Sequence, residues 1–202
     1  LASASPQRRA ILEQLGVAFE VAPANVDELA QGDPRELALE NARRKALAVP
    51  GELVLGADTD VGLDGEVLGK PRDAEHAREL LARLAGRRHE VVGGIAIAEH
   101  GAITAEAVVV TSVDFRALDD ATLDWYVATG EWEGRAGGYA IQGRGAALVA
   151  GIEGDYLNVV GLPLARLLDL RPDLLPGRSP AKNPGTPGCG RGRFAGSPPE
   201  PS

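Results

Sequence analysis

The sequence predicts an α/β fold. Three observations carry that prediction. Apolar periodicity switches repeatedly between helical and extended along residues 1–175, two long extended runs lie back to back at 90–98 and 104–115, and helix starts are signalled at Pro6, Asp33 and Asp73.

Taken in order, residues 8–15 put Ile11, Leu12 and Leu15 on one helical face after Pro6. Phe19 and Val21 alternate with polar or small neighbours, as a short strand does. Asp33-Pro34-Arg35-Glu36 combines an Asp N-cap, a first-turn Pro and a Glu three residues after the cap, so a helix is expected from there to Val49, stopped by Pro50-Gly51. Leu53-Val54-Leu55 is a short apolar strand leading into Gly56-Ala57-Asp58-Thr59, with a turn at Asp64-Gly65. Asp73 caps a helix whose stripe is Ala77, Leu80, Leu81 and Leu84, ended by Gly86. The two extended runs then form an antiparallel hairpin about His100-Gly101. Residues 118–128 are an amphipathic helix, residues 130–145 a Gly-rich loop, 146–152 a strand, and 162–170 a short helix begun by Pro163.

The bulk composition narrows the function. A 202-residue chain with 44% apolar content can bury a core without staples, and the single Cys189 excludes an internal disulfide. No apolar run reaches the roughly 18 residues needed to span a bilayer, and residues 1–9 lack a signal-peptide core, so a soluble, cytoplasmic protein is expected. The net charge is −8, and −11 over residues 1–177, which argues against binding a nucleic acid polymer. From Pro176 to Ser202 there are seven Pro and six Gly among 27 residues, the composition of a disordered tail; the functional domain is expected over residues 1–175.

An acidic protein can still bind one small polyphosphate if a few cations are gathered locally. Candidates occur along the chain. Ser3-Ala4-Ser5-Pro6-Gln7-Arg8 runs through hydroxyls into a helix N-terminus, which is either a phosphate cradle or an ordinary Ser cap. Asp58 follows the strand at 53–55 as a catalytic group or a turn cap. Gly69-Lys70-Pro71 fixes a lysine between a flexible and a rigid residue, yet lacks Walker A spacing, and a solvated lysine is the alternative. Lys45 shares a helical face with Asn41. Asp27 and Glu28 form an acidic pair that either binds a cation with Asp58 or is simply solvated. The run Gly137 to Gly145 offers Gln142, whose amide can read a base edge, within what is otherwise a Gly-rich turn. The three histidines show no metal-ligand spacing.

Six runs in register closely resemble the Maf family of nucleotide pyrophosphatases: Leu1-Ala2-Ser3-Ala4-Ser5-Pro6 with Arg8, Arg43-Arg44-Lys45-Ala46, Gly56-Ala57-Asp58-Thr59, Gly69-Lys70-Pro71, Ala136-Gly137-Gly138-Tyr139 with Ile141-Gln142-Gly143, and Val160-Gly161-Leu162-Pro163. The resemblance covers residues 1 to about 170. It implies an elongated, two-lobed fold related to inosine triphosphatases, with a mixed, bent β-sheet flanked by helices and a central cleft. It implies hydrolysis of a nucleoside triphosphate to monophosphate and pyrophosphate, with Mg²⁺ or Mn²⁺ and a homodimeric assembly. Carried over by position, Asp58 is the catalytic base or a metal ligand, and Asp27 is an acidic metal-site position. Ser3, Arg8, Lys45 and Lys70 hold the triphosphate, and Thr59 and Gln142 bear on base selectivity. The Gly-Ala-Asp-Thr and Ile-Gln-Gly wording is similar to the dTTP/UTP subgroup, although Gln7, Asp60 and Gly134-Arg135 depart from it. A nucleotide-binding regulator of cell division or septum formation, with little turnover, is the competing class.

Overall fold

In the computed structural model, which describes residues 1–175 and Gly177, the architecture is set by one antiparallel sheet. Its strands are β1 (Leu53–Leu63), β2 (Glu66–Leu68), β3 (Arg88–Glu99), β4 (Ala102–Phe115) and β5 (Val149–Glu153), in the order β2-β1-β3-β4-β5. The helices are α1 (Pro6–Gln14), α2 (Pro34–Ala48), α3 (Ala74–Leu84), α4 (Asp120–Val127), α5 (Tyr156–Val160) and α6 (Leu164–Leu170). The expected tail from Pro176 onward lies outside the described residues, Gly177 aside. No described helix is long and apolar enough to cross a membrane.

Local chemistry sets the element ends. Asp33 accepts from Arg35 N at 2.9 Å and Glu36 N at 3.3 Å, and Asp73 accepts from His76 N at 2.8 Å, so both expected caps form. The β1–β2 hairpin turns at Asp64 (φ 54) and Gly65 (φ 82), and the β3–β4 hairpin at His100 (φ 50) and Gly101 (φ 81). Two successive positive φ values give the turn whose twist matches the strands it joins.

Several elements differ from expectation. β1 is an 11-residue strand, so Asp58 lies in its middle and not just beyond its end. The apolar run at 53–55 ended the prediction because Asp58, Thr59 and Asp60 are polar, yet the ladder to β3 continues through them from Leu53↔Glu99 to Gly62↔Glu90. Phe19 to Val21 form no strand. That segment makes only two ladder bonds, from Leu1 N to Glu20 O at 2.7 Å and from Ala22 N to Leu1 O at 3.0 Å. The two bonds flank Val21 in a parallel pattern, whereas the four strand pairings of the sheet are all antiparallel. The short helix α5 was not anticipated.

Apolar packing divides into lobes about the sheet. At one end Leu80, Leu81 and Leu84 of α3 pack with Leu123 and Tyr126 of α4 on Val61, Val91, Val113 and Phe115. At the other, Ile11 and Leu12 of α1 and Leu167 of α6 pack on Ala57, Ile95 and Ile97. α2 covers the opposite sheet face through small residues, with Ala42 and Ala46 against Val54, Ala96 and Ala98. Glycine permits this closeness: a methyl group on Gly56 would run into Ala42 O, and one on Gly94 into Ala38 O.

Candidate functional site

The site forms where β1 has an uncovered edge. β2 pairs with β1 only from Val61 to Leu63, and Ala2 N donates to Leu55 O at 2.9 Å further back, so the edge of Asp58–Asp60 between them carries no strand. Side chains alternate along a strand, which sends Asp58 toward α2 and Thr59 toward α1. Both nevertheless border one cleft of about 310 Å³ that opens beside this edge.

Asp58 is buried and doubly held. Its Oδ1 lies 2.6 Å from Lys45 Nζ, and its Oδ2 accepts from Asn41 Nδ2 at 3.0 Å. Asn41 and Lys45 are one helical turn apart on α2, so both reach the same strand residue once Gly56 and Gly94 let the helix approach. Asn41 is fixed in turn by the loop, accepting from Leu29 N at 2.8 Å and donating to Leu29 O at 3.0 Å. Lys45 Nζ also lies 2.6 Å from Glu28 Oε1, and Lys70 Nζ stands 3.9 Å from Glu28 Oε2.

On the other face Arg8 is buried and makes three contacts. Its Nε donates to Gly161 O at 2.9 Å, Nη1 to Ser3 Oγ at 3.0 Å and Nη2 to Thr59 Oγ1 at 3.0 Å. Burial pulls the guanidinium pKa down, opposed by the charges of Asp58, Glu28 and Asp60. Thr59 Oγ1 donates to Gly161 O at 3.3 Å, so its hydroxyl is used in fixing Arg8. Ser5 caps α1, accepting from Arg8 N at 3.4 Å, and donates to Gln7 Oε1 at 3.1 Å.

Asp60, two residues along β1 from Asp58, has a buried Oδ2 with no hydrogen-bond partner among the described residues. Loss of solvation, then the neighbouring charge of Asp58, pushes its carboxyl up to about 7. Across the cleft, Tyr139 is buried with its hydroxyl 2.8 Å from His89 Nε2, and Tyr126 Oη accepts from Ala140 N at 3.0 Å. These two contacts pin the loop that carries Gln142.

The structure therefore brings together Ser3, Arg8, Lys45, Asp58, Thr59, Lys70 and Gln142 around one cleft. Asp27 is the exception: it is exposed and does not line the cleft, whereas its neighbour Glu28 does and pairs with Lys45. The two differ by one position in an irregular loop, where no periodicity tells the inward side chain from the outward one. Asn41 and the Gly161 carbonyl are further members. The i, i+4 spacing of Asn41 to Lys45 is the sequence signal for the first; nothing signals the second, because it is a backbone group.

Oxygen donors of this kind suit a hard divalent cation. Asp58 and Glu28 converge on one ammonium group, so their carboxylates share a small region facing the cleft. Among the described residues no three Asp, Glu, His or Cys side chains make a ready cage. Two carboxylates supplemented by substrate phosphate oxygens and water are the usual arrangement for Mg²⁺, and the residues present fit it.

The family model described as Maf-like protein matches residues 1–172. A protein of Anaeromyxobacter sp. (strain Fw109-5) named dTTP/UTP pyrophosphatase is 56% identical over 176 residues, covering 84% of this chain and 86% of the relative. Proteins of the same name from Pyrococcus furiosus and Myxococcus xanthus are 48% and 49% identical, each over 84% of this chain and over 92% and 89% of their own lengths. The match spans every run that surrounds the cleft, and this chain belongs to the Maf family.

Proposed function

We propose that the protein hydrolyses nucleoside triphosphates at the α–β phosphoanhydride bond, releasing the monophosphate and pyrophosphate, with dTTP and UTP as preferred substrates. The observation that carries the reading is Asp58, held between Lys45 and Asn41 at the open edge of β1 and facing a cleft lined by further cations. The names of the relatives support the reaction and the pyrimidine preference.

Asp58 receives the proton of the attacking water as its oxygen bonds to the α-phosphorus and the bridging oxygen leaves with pyrophosphate. Asn41 and Lys45 hold the carboxylate in one orientation, so little reorganisation is needed at the moment of attack. Lys45 sits between the base and the phosphates and offsets the charge that accumulates there. Lys70, loosely paired and 60% exposed, closes on the leaving group when substrate enters. Arg8 keeps a second N–H on each terminal nitrogen for phosphate oxygens while Ser3, Thr59 and Gly161 lock its plane. Gln142, exposed at the cleft rim, reads the base edge. Asp58 and Glu28 would hold a divalent cation, which supplies charge stabilisation on the phosphates when bound. That cation and a homodimeric assembly belong to the proposal on the strength of the family resemblance.

The test is incubation with a panel of nucleoside triphosphates and Mg²⁺ or Mn²⁺, measuring pyrophosphate and orthophosphate separately. Pyrophosphate with equimolar monophosphate, fastest from dTTP and UTP, is the expected result. Orthophosphate from the γ-position, or binding without product, overturns it.

A further inference from the structure

The cations that line the cleft are not equally engaged. Arg8 commits three N–H groups to Gly161, Ser3 and Thr59, and Lys45 lies between Asp58 and Glu28. Lys70 has a loose partner in Glu28 at 3.9 Å. Arg135 stands apart. It lines the same cleft, forms no ion pair among the described residues, and its Nε is buried without a hydrogen-bond partner. No described residue accepts from its terminal nitrogens either, and these, unlike the shielded Nε, are the groups that an acceptor entering the cleft can reach.

The backbone that carries Arg135 is fixed where its side chain is not. Arg135 N donates to Trp132 O at 3.1 Å, and Gly138 N donates to Arg135 O at 3.0 Å. Trp132 Nε1 donates to Val127 O at 3.0 Å, anchoring the turn to the end of α4. Gly137 N donates to Gly69 O at 3.1 Å, which ties the Arg135 loop directly to the segment bearing Lys70. A held backbone with an unengaged planar guanidinium is the arrangement that suits bidentate recognition of an anion. The anions offered to this cleft are phosphates, and the chain's own carboxylates there, Glu28 and Asp58, are both engaged by Lys45.

We propose that Arg135 is a substrate-binding residue that takes the pyrophosphoryl part of the nucleoside triphosphate, working with Lys70 on the same wall. The inference rests on the pyrophosphatase reading. On the α1 side of the cleft Gln7 is uncharged and accepts from Ser5, and Arg8 is the charged group there, so Arg135 adds a second guanidinium to the lining.

Two readouts on the full-length protein keep this separate from the parent reading: steady-state pyrophosphate release, and direct titration with inorganic pyrophosphate, uridine and UMP by calorimetry in the presence of Mg²⁺. Arg135→Ala is expected to lower kcat/KM for UTP at least tenfold and to weaken pyrophosphate binding at least tenfold, with uridine and UMP affinities within twofold of the parent protein. Arg135→Lys, which keeps the charge and loses the fork, is expected to fall between the two. Unchanged pyrophosphate affinity in Arg135→Ala, or a loss that falls equally on uridine, overturns the assignment. If the parent protein turns over no triphosphate, the pyrophosphatase reading fails while the pyrophosphate titration still decides whether Arg135 holds the anion. The Arg135 side chain makes no hydrogen bond or ion pair among the described residues, so the alanine variant is expected to remain folded and to melt within about 4 °C of the parent.

Discussion

Lys45 Nζ and Asp58 Oδ1 lie 2.6 Å apart in a region where the two side chains are only 9% and 10% exposed. A charge pair removed from water is held only if its geometry is good, and losing one partner leaves the other uncompensated at a cost of roughly 3–5 kcal/mol. Glu28, 42% exposed, shares the ammonium and lets solvent reach it from one side, so the lower end of that range applies here.

Lys45→Met should therefore lower stability at pH 7 by about 3 kcal/mol, because the buried Asp58 carboxylate loses its ion-pair partner and retains only Asn41. For a chain of this size that is a fall in Tm of about 6–12 °C. Combining Lys45→Met with Asp58→Asn removes both charges and should recover most of the loss. A double variant no more stable than the single one contradicts the pair's structural role.

His89 makes stability depend on pH. Burial lowers its pKa to about 4, with Asp114 opposing weakly, while the unfolded chain titrates near 6.5. Between those values the unfolded state binds a proton that the folded state does not, so stability present above about pH 6.5 is lost as the pH falls toward 4, by up to about 3 kcal/mol. His89→Gln keeps a partner for the Tyr139 hydroxyl and does not titrate. Its Tm should fall less steeply than the parent's from pH 7 to 4.5, and parallel curves contradict the assignment.

Asp60 tests the cost of an orphaned carboxylate. Its Oδ2 is buried without a partner among the described residues, and a strand position suits a β-branched apolar residue of similar size. Asp60→Val should raise stability by about 2 kcal/mol at pH 8 without divalent cation, or about 4–8 °C in Tm. A lower Tm implies a partner for Asp60 that the geometry does not contain.

The contact of α2 with the sheet links packing to chemistry. A methyl group on Gly56 would also come within 2.6 Å of Ala46 N, so Gly56→Ala pushes α2 outward and carries Asn41 and Lys45 away from Asp58. Displacements of this order cost about 10²-fold in rate, and kcat/KM should drop by that much. Parent-like kinetics in this variant mean that the helix position does not set the site.

Much of this was legible in the sequence. The caps at Asp33 and Asp73 and the hairpin at His100-Gly101 are local chemistry, and each formed where its residues placed it. The length of β1 was not, because the polar run Asp58-Thr59-Asp60 hides a strand whose edge borders a cleft. Of the candidate residues, Ser3, Arg8, Lys45, Asp58, Thr59, Lys70 and Gln142 line one cleft, whereas Asp27 lies outside the lining and its neighbour Glu28 within it. Arg135 drew notice in the sequence only as a departure from the usual wording. Its unpartnered Nε is visible only once the loop is folded against Gly69.

The most direct measurement is pyrophosphate release from dTTP and UTP by Asp58→Asn with saturating Mg²⁺, alongside its Tm. The substitution keeps the size of the side chain and leaves Lys45 its second partner, Glu28, so the protein should remain folded, with a fall in Tm no larger than the roughly 6–12 °C expected for Lys45→Met. Losing the proton acceptor should lower kcat by about 10³-fold, within the range for a general base. Turnover within tenfold of the parent, by a protein that remains folded, contradicts the placing of Asp58 at the centre of the reaction.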